Sequence, residues 1–383
     1  MRLPAMMDLL PVIPWLLPFF TLPRLARRSP NLSDAPAGSG RLVSVIIPAR
    51  NEAGAITAVV ESVLQTTYRP FELLVVDDRS SDGTAEIVQR MPTGPELRLI
   101  PGEQLPQGWY GKPWACFQGY QHARGELLLF TDADTKHHPE LLAHAVGALQ
   151  QERASLVTVS PKQLCLTVWE RLIMPQVWFL LSLRYHPQTV NRARRASDVI
   201  ANGQFILTTR RAYEAAGTHA AVRDEVAEDL ALAQTYLARG LKLHFAFAER
   251  LMETRMYQNL PQLIEGWSKN IYLGGRRSFP DEPLRRALVP VMLLIAMLFW
   301  LAPILLMAVA LLEPSVAHLV PAAAFSSALA ALFWTLICYG MRIPPVFGLG
   351  YPIGVLVTLY IILRSTWRGK RRVEWRGRVY GEQ

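Results

Sequence analysis

The sequence predicts an α/β domain built on a Rossmann-like, mostly parallel sheet, with membrane segments on either side of it. Between residues 41 and 286, apolar runs of strand length alternate with helical patterns. Several of these runs stop abruptly at acidic residues. Beyond them, residues 287–363 are almost entirely apolar. Strand–helix alternation at this spacing marks parallel βαβ units, and the apolar stretch is long enough for membrane-spanning helices.

At the start, residues 9–22 are apolar but broken by Pro11, Pro14 and Pro18. They fall short of the roughly 20 residues that span a bilayer. Arg24, Arg27 and Arg28 follow, whereas a cleaved signal peptide carries its charge ahead of the apolar run. Residues 1–28 therefore read as an N-terminal membrane anchor. Residues 29–40 are a Pro/Ser/Gly/Ala linker. The stretch 42–48 is a strand ended by Pro48, and a helical pattern fills 54–66. The stretch 71–78 is a second strand, ending in Asp77 and Asp78. Ser81-Asp82-Gly83 turns into a helix over 84–91. A short strand at 97–100 and a helix at 114–124 lead to a further strand, 127–130. That strand runs straight into Asp132 and Asp134.

Residues 164–186 are apolar yet carry Glu170, Arg171, Pro175 and Arg184. Such charges argue against a spanning helix. An amphipathic helix in the membrane interface fits, and a buried core helix is the plainer alternative. Segments 287–312 and 316–339 are each long enough to cross a bilayer. Segment 343–363 is apolar too, but Pro344, Pro345, Gly348, Gly350, Pro352 and Gly354 interrupt its first half. Arg276, Arg277, Arg285 and Arg286 place the domain 41–286 on the cytoplasmic side. Arg364, Arg368, Lys370, Arg371 and Arg372 place the basic tail 364–383 there as well. Three crossings cannot satisfy both, so the third segment is expected to be re-entrant or interfacial.

The 383 residues are 51% hydrophobic with a mean hydropathy of +0.16, between a soluble and a wholly membrane-embedded chain. The net charge is +9. Its arginines, including Arg192, Arg194 and Arg195, flank apolar segments, so an anionic membrane surface explains them. No RNA- or DNA-binding motif accompanies them, and no nucleic-acid partner is expected. Cys116, Cys165 and Cys338 are scattered and odd in number. They suggest neither a disulfide framework nor a zinc site and are consistent with a reducing compartment.

The chemistry gathers at strand ends. Asn51 and Glu52 follow the first strand, Asp77 and Asp78 the second, and Asp132 and Asp134 a later one. Parallel strands bring these ends to one edge of the sheet, where open α/β sheets bind ligands. Side chains alternate along a strand, so Asp132 and Asp134 can point the same way. Clustered carboxylates repel each other unless a cation or hydrogen-bond donors compensate. A nucleoside diphosphate with a metal supplies that need, and a solvated turn is the bland alternative for Asp132-x-Asp134. No Gly-x-Gly-x-x-Gly follows the first strand and no Gly-Lys-Ser/Thr loop occurs, which argues against dinucleotide redox chemistry and P-loop NTPases.

Three stretches together resemble the family 2 glycosyltransferases with the so-called GT-A fold: Val45-Ile46-Ile47-Pro48-Ala49-Arg50-Asn51-Glu52, Val75-Val76-Asp77-Asp78-Arg79-Ser80-Ser81-Asp82-Gly83-Thr84, and Thr131-Asp132-Ala133-Asp134. Gly111-Lys112-Pro113-Trp114-Ala115 is similar to that family's Gly-Lys-x-x-Ala segment, and Glu228-Asp229-Leu230 to its Glu-Asp motif. The resemblance covers about residues 42–275 and implies inverting transfer from a nucleotide sugar, UDP-linked, with Mg²⁺ or Mn²⁺. It implies that Pro48, Asn51, Glu52, Asp77, Asp78, Lys112 and Asp132 hold the nucleotide sugar. Asp132 and Asp134 would hold the metal, and Asp229 would be the catalytic base. Glu228, Trp267 and Lys269 would face the acceptor and diphosphate. The plain alternative for Glu228 and Asp229 is capping of the helix that runs to Arg239. The family's Gln-x-x-Arg-Trp is replaced by Ile264-Glu265-Gly266-Trp267-Ser268-Lys269-Asn270, a departure that weakens a processive polysaccharide synthase. This version looks most like the hopanoid-associated and carotenoid glycosyltransferases, which implies a membrane lipid with a hydroxyl as acceptor. The competing functions are a polyprenyl-phosphate sugar synthase and a degenerate, non-catalytic membrane scaffold.

Other residues have plain readings. His137 and His138 are expected at the surface. Asn202-Gly203-Gln204 is either a simple turn or an approach to the sugar. Trp109 and Tyr110 either pack the loop or stack on a ligand.

Overall fold

The computed structural model describes residues 10–20, 29–91 and 96–369 in full and the backbone of 21–26, 373–375 and 378–380. The expected anchor's first nine residues lie outside these, as do Arg27, Arg28, Lys370, Arg371 and Arg372; so does the side chain of Arg24.

In chain order the elements are α1 (Ile13–Ala26), β1 (Val43–Ala49), α2 (Ile56–Leu64), β2 (Phe71–Asp77), α3 (Thr84–Arg90), β3 (Leu97–Pro101), α4 (Gly111–His122) and β4 (Leu127–Thr131). Next come β5 (Thr135–His137), α5 (Leu141–Gln151), β6 (Leu156–Ser160), β7 (Lys162–Gln163), α6 (Val168–Arg184) and α7 (Pro187–Val190). The domain closes with β8 (Phe205–Thr209), α8 (Arg210–Ala216), α9 (Glu228–Ala238), β9 (Leu243–Phe247) and β10 (Met252–Thr254). Helices α10 (Leu260–Arg277), α11 (Pro283–Leu312), α12 (Val320–Gly340) and α13 (Tyr351–Arg368) follow, then the strands β11 (Val373–Trp375) and β12 (Arg378–Tyr380).

The main sheet runs β3-β2-β1-β4-β8-β6-β9. It is parallel except for β8, which pairs antiparallel with both β4 and β6. Mostly parallel is thus right, and β8 is the departure. Its sequence, Phe205-Ile206-Leu207-Thr208-Thr209, carries no direction. Because the sheet is covered on both sides, alternate residues of each strand enter different cores. Val43, Val45 and Ile47 of β1 pack with α2 and α5, while Ile46 packs with residues of α4 and α9. Chain order reverses between β1 and β4, so a crevice opens at their carboxyl ends. A small sheet, β5-β10-β7, lies beyond β4.

Several expected boundaries shift. Helix α4 begins at Gly111 rather than 114, which puts Lys112 in its first turn. His137 is buried, not a surface residue: its ring lies 3.0 Å from the Thr131 hydroxyl, and burial lowers its pKa to about 3. The β5 strand turns it inward, an outcome of register rather than composition. Trp109 packs in the loop against Trp114 and Phe117, as the plainer reading had it.

Three helical segments, Pro283–Leu312, Pro314–Gly340 and Pro345–Arg368, are long and apolar enough to cross a membrane. Trp15 of α1 stacks on Phe299 of α11, 5.2 Å between centroids, so the N-terminal helix joins this apolar bundle. Helix α13 packs against both α6 and α10. Its first turn meets α6, where Gly354 lies so close to the Leu172 backbone that a Cβ would clash. Its last turns meet α10, where Arg364 reaches Glu265 at 2.8 Å and Ser268 at 3.2 Å. Arg368 also contacts Glu265. Two arginines read as a lipid-facing flank are therefore used inside the chain.

Candidate functional site

The crevice continues into a cavity of about 1290 Å³. Lys112, Asp132, Asp134, Glu228, Asp229, Trp267 and Lys269 all line it, so one wall collects seven of the residues expected at the site. Five of the seven come from element ends. Lys112 is in the first turn of α4, Asp132 and Asp134 follow β4, and Glu228 and Asp229 open α9. Trp267 and Lys269 stand in the middle of α10.

Lys112 is the electrostatic centre. Its Nζ lies 2.8 Å from Asp132 Oδ1 and 2.9 Å from Glu228 Oε1. Burial opposes its charge, but Asp132, Glu228 and Asp229 outweigh burial and hold its pKa well above the ordinary lysine value. Burial likewise pushes Glu228 up, and Lys112 pulls it further down, leaving it below the usual carboxylate range. Asp229 is different. Burial and the charge of Glu228 raise it to about 6, against the pull of Lys112. Adjacent carboxylates in one low-dielectric wall are thus driven apart, one firmly ionised and one near neutrality. Asp229 Oδ2 accepts the Gly203 N–H at 2.8 Å, and its Oδ1 accepts its neighbour Leu230 N–H at 2.7 Å. Asp229 therefore holds an N–H of its own helix's first turn and lines the cavity at once.

The Asp132–Asp134 turn is held from below. The Asp134 carbonyl accepts from the Thr254 hydroxyl at 3.2 Å and from the Arg255 N–H at 3.4 Å. Among the described residues no group of three or more His, Cys, Asp or Glu comes together as a metal site. Two carboxylates are the protein's share where Mg²⁺ or Mn²⁺ takes its remaining oxygens from phosphates. The donor set fits a cation bound together with a diphosphate.

The expected nucleoside residues lie apart from this cavity wall. Pro48, Asp77 and Asp78 are buried at the ends of β1 and β2, while Asn51 and Glu52 are partly exposed in the loop that follows. Asn51 adopts φ 53° and its Oδ1 accepts the Ser81 N–H at 2.9 Å. The Glu52 N–H donates to Thr84 Oγ1 at 2.9 Å. These two residues therefore also clip the β1 and β2 loops together. Asp77 Oδ2 accepts the Ser80 N–H at 3.2 Å, but its Oδ1 is buried with no hydrogen-bond partner among the described residues. A buried acceptor is normally satisfied, so this oxygen suits a ligand donor.

Helix α6 contributes as well. Trp178 and Phe179 of α6 line the cavity, and Trp178 stands 6.2 Å from Trp267, edge to face. Tyr257 completes an aromatic wall at 6.1 Å from Trp267. Nothing in the sequence around Tyr257 marked it. Gly203 falls in the stretch read as either a simple turn or an approach to the sugar, and its N–H bonds Asp229 beside the cavity.

Residues 44–215 match the family model described as Glycosyl transferase family 2. A 4,4'-diaponeurosporenoate glycosyltransferase of Staphylococcus haemolyticus is 25% identical over 244 residues, 62% of this chain and 63% of that protein. Its namesake in Staphylococcus aureus is 28% identical over 247 residues, 63% of each. The chain thus spans less than two thirds of the length of these curated relatives. A mannosyltransferase from Pyrobaculum calidifontis, solved with GDP-Man and Mn²⁺, superposes with a TM-score of 0.55 at 20% identity, over 92% of this chain and 94% of that one. The sheet order, the strand-end acids and these likenesses agree: residues 44–215 form a glycosyl transferase family 2 domain, within a GT-A fold followed by three helices long and apolar enough to cross a membrane.

Proposed function

We propose that the protein transfers a sugar, with inversion, from a nucleoside diphosphate sugar to the hydroxyl of a membrane lipid at the cytoplasmic face. The observation that carries this reading is the single cavity shared by Asp132, Lys112 and Asp229 and walled further along by apolar helices. On the donor side, Asp77 Oδ1 would accept a base N–H, and Asp78, Asn51, Glu52 and Pro48 would frame the nucleoside. A UDP-linked sugar is the first donor to test. Asp132 and Asp134 would hold Mg²⁺ or Mn²⁺, which when bound with the diphosphate neutralises charge on the leaving group. Lys112 supplies a second, permanent positive charge beside that position.

On the acceptor side, Asp229 takes the hydroxyl proton. A base works best with a pKa near the operating pH, and about 6 is far closer than an ordinary carboxylate. Its two backbone donors fix the carboxylate's orientation, and Glu228 keeps Lys112 in reach of both sides. Trp267 and Lys269 would border the acceptor head. The named acceptor of the staphylococcal relatives is an acid, 4,4'-diaponeurosporenoate, and an already ionised acceptor needs no base. Asp229→Asn separates these cases: it cripples transfer to a hydroxyl and leaves transfer to a carboxylate or phosphate nearly intact.

The test is donor hydrolysis and lipid glycosylation by the purified full chain, using a panel of nucleotide sugars with Mn²⁺ and a membrane-lipid extract. At least one donor should be hydrolysed slowly alone and consumed faster with lipid. Failure to bind or hydrolyse any nucleotide sugar would overturn the reading.

A further inference from the structure

The cavity does not end at the acids. It continues to Met292 and Ala296 of α11 and to Leu336 and Gly340 of α12. Helix α11 leaves the domain at Pro283 and α12 returns at Gly340, so the first half of one and the last half of the other share the depth nearest the domain. At this end the wall is open. Met292 is 47% exposed and Leu336 49% exposed, although both line the cavity. Side chains this exposed in the cavity wall leave room between the helices. These residues offer no hydrogen-bond partner to a nucleotide or a sugar, whose polar groups would be left unpaired there. Apolar chains alone gain from burial against them.

We propose that the cleft between α11 and α12 binds the hydrocarbon body of a long-chain lipid, which slides in sideways from the bilayer with its head toward Asp229. This rests on the lipid-acceptor reading above, and it adds where the chain lies and how it arrives. Charge complementarity supports the direction. Lys112, Glu228 and Asp229 occupy the inner end, and the outer end is apolar, so an amphiphile fits one way round only. It also explains why α10, which carries Trp267, packs against α11: the helix bordering the acceptor head is continuous with the wall of the cleft.

The experiment uses the full chain in phosphatidylcholine–phosphatidylglycerol vesicles containing a diazirine-bearing hexadecanol. After photolysis the labelled residues are mapped by mass spectrometry. Labels should cluster on 289–296 and 336–341 and fall when unlabelled hexadecanol is added in excess. Met292→Trp and Leu336→Trp should reduce the label severalfold. Both side chains are about half exposed, so a larger side chain is accommodated without disturbing the core. Ile295→Trp and Leu332→Trp, at residues 60% and 48% exposed that do not line the cavity, should leave labelling unchanged. Label spread evenly over the outer faces of α11–α13 and insensitive to excess hexadecanol would overturn the proposal. So would lipid glycosylation that Met292→Trp and Leu336→Trp leave untouched. Cleft labelling without sugar transfer to any lipid would overturn the acceptor reading and leave the cleft standing.

Discussion

Gly203 and Asp229 are joined by a 2.8 Å hydrogen bond from the glycine N–H to Oδ2, and no side chain fits between them. A Cβ at Gly203 would lie 2.8 Å from Lys112 Nζ and 3.2 Å from Asp229 Oδ2. Gly203→Ala should therefore displace the lysine and tilt the carboxylate. Small misplacements of a reacting group cost up to about 10²-fold in rate, so turnover should fall by about 10- to 10²-fold. The melting temperature should barely change, because the clash can be relieved by the flexible end of Lys112. Unaltered turnover would show that the alignment is incidental.

The acid pair predicts a pH profile. Asp229 must be ionised to act as a base, so transfer should rise through pH of about 6 and level above it. Glu228→Gln removes a repelling charge and frees Lys112 to favour ionised Asp229. The acidic limb should move to lower pH even as the rate falls. Stability takes the opposite sign. The folded pKa lies above the ordinary 3.8, so the contribution of Asp229 is fully present below about 3.8 and lost as pH rises through about 6. Asp229→Asn should flatten the melting temperature across that window, which a thermal series at several pH values checks.

Metal affinity should depend on the nucleotide. Asp132 and Asp134 alone make a poor cation site, and Lys112 already competes for Asp132 at 2.8 Å. Mn²⁺ titrated by electron paramagnetic resonance should bind weakly to the protein and far more tightly once UDP or GDP is present. Asp134→Ala should abolish that gain, and excess chelator should stop transfer. Full activity in chelator would eliminate the metal.

Glu170 fixes α6 to the Asp132–Asp134 turn. Its buried carboxylate accepts the Thr167 N–H at 2.6 Å and Arg255 Nε at 3.2 Å, while the Arg255 N–H reaches the Asp134 carbonyl. Removing one partner of a buried pair strands the other. Arg255 is partly exposed, so Glu170→Ala should cost about 2 kcal/mol rather than the full penalty of a buried pair. Denaturation in detergent measures this. Metal-dependent activity should fall as well, because α6 and the Asp134 turn share the anchor.

Both ends of α13 are tied to α6 and α10, which lie against the domain. The tail is therefore expected on the same side as the domain. A cysteine appended after Gln383 and one at Glu103 should react with an impermeant maleimide from the same face of sealed vesicles. Labelling from opposite faces would make α13 a third crossing.

The sequence by itself determined the parallel sheet, its strand-end acids and the apolar helices. These are local patterns: a strand reads as an apolar run, and its carboxyl end as the residue where that run stops. Asp132 and Asp134 were legible for that reason, whereas Glu228 and Asp229, at the start of a helix, were marked only by the family resemblance. Only the tertiary structure decided how they meet. Lys112 reaches Asp132 and Glu228 because α4 begins at Gly111 and faces the end of β4 and the start of α9. His137 went inward because β5 pairs with β10. Gly203 meets Asp229 across 26 residues of chain, and Arg364 meets Glu265 across 99. Such contacts depend on packing and register rather than on neighbouring residues. Hydrophobic periodicity reports which face of an element is buried, and it carries no information about which partner buries it.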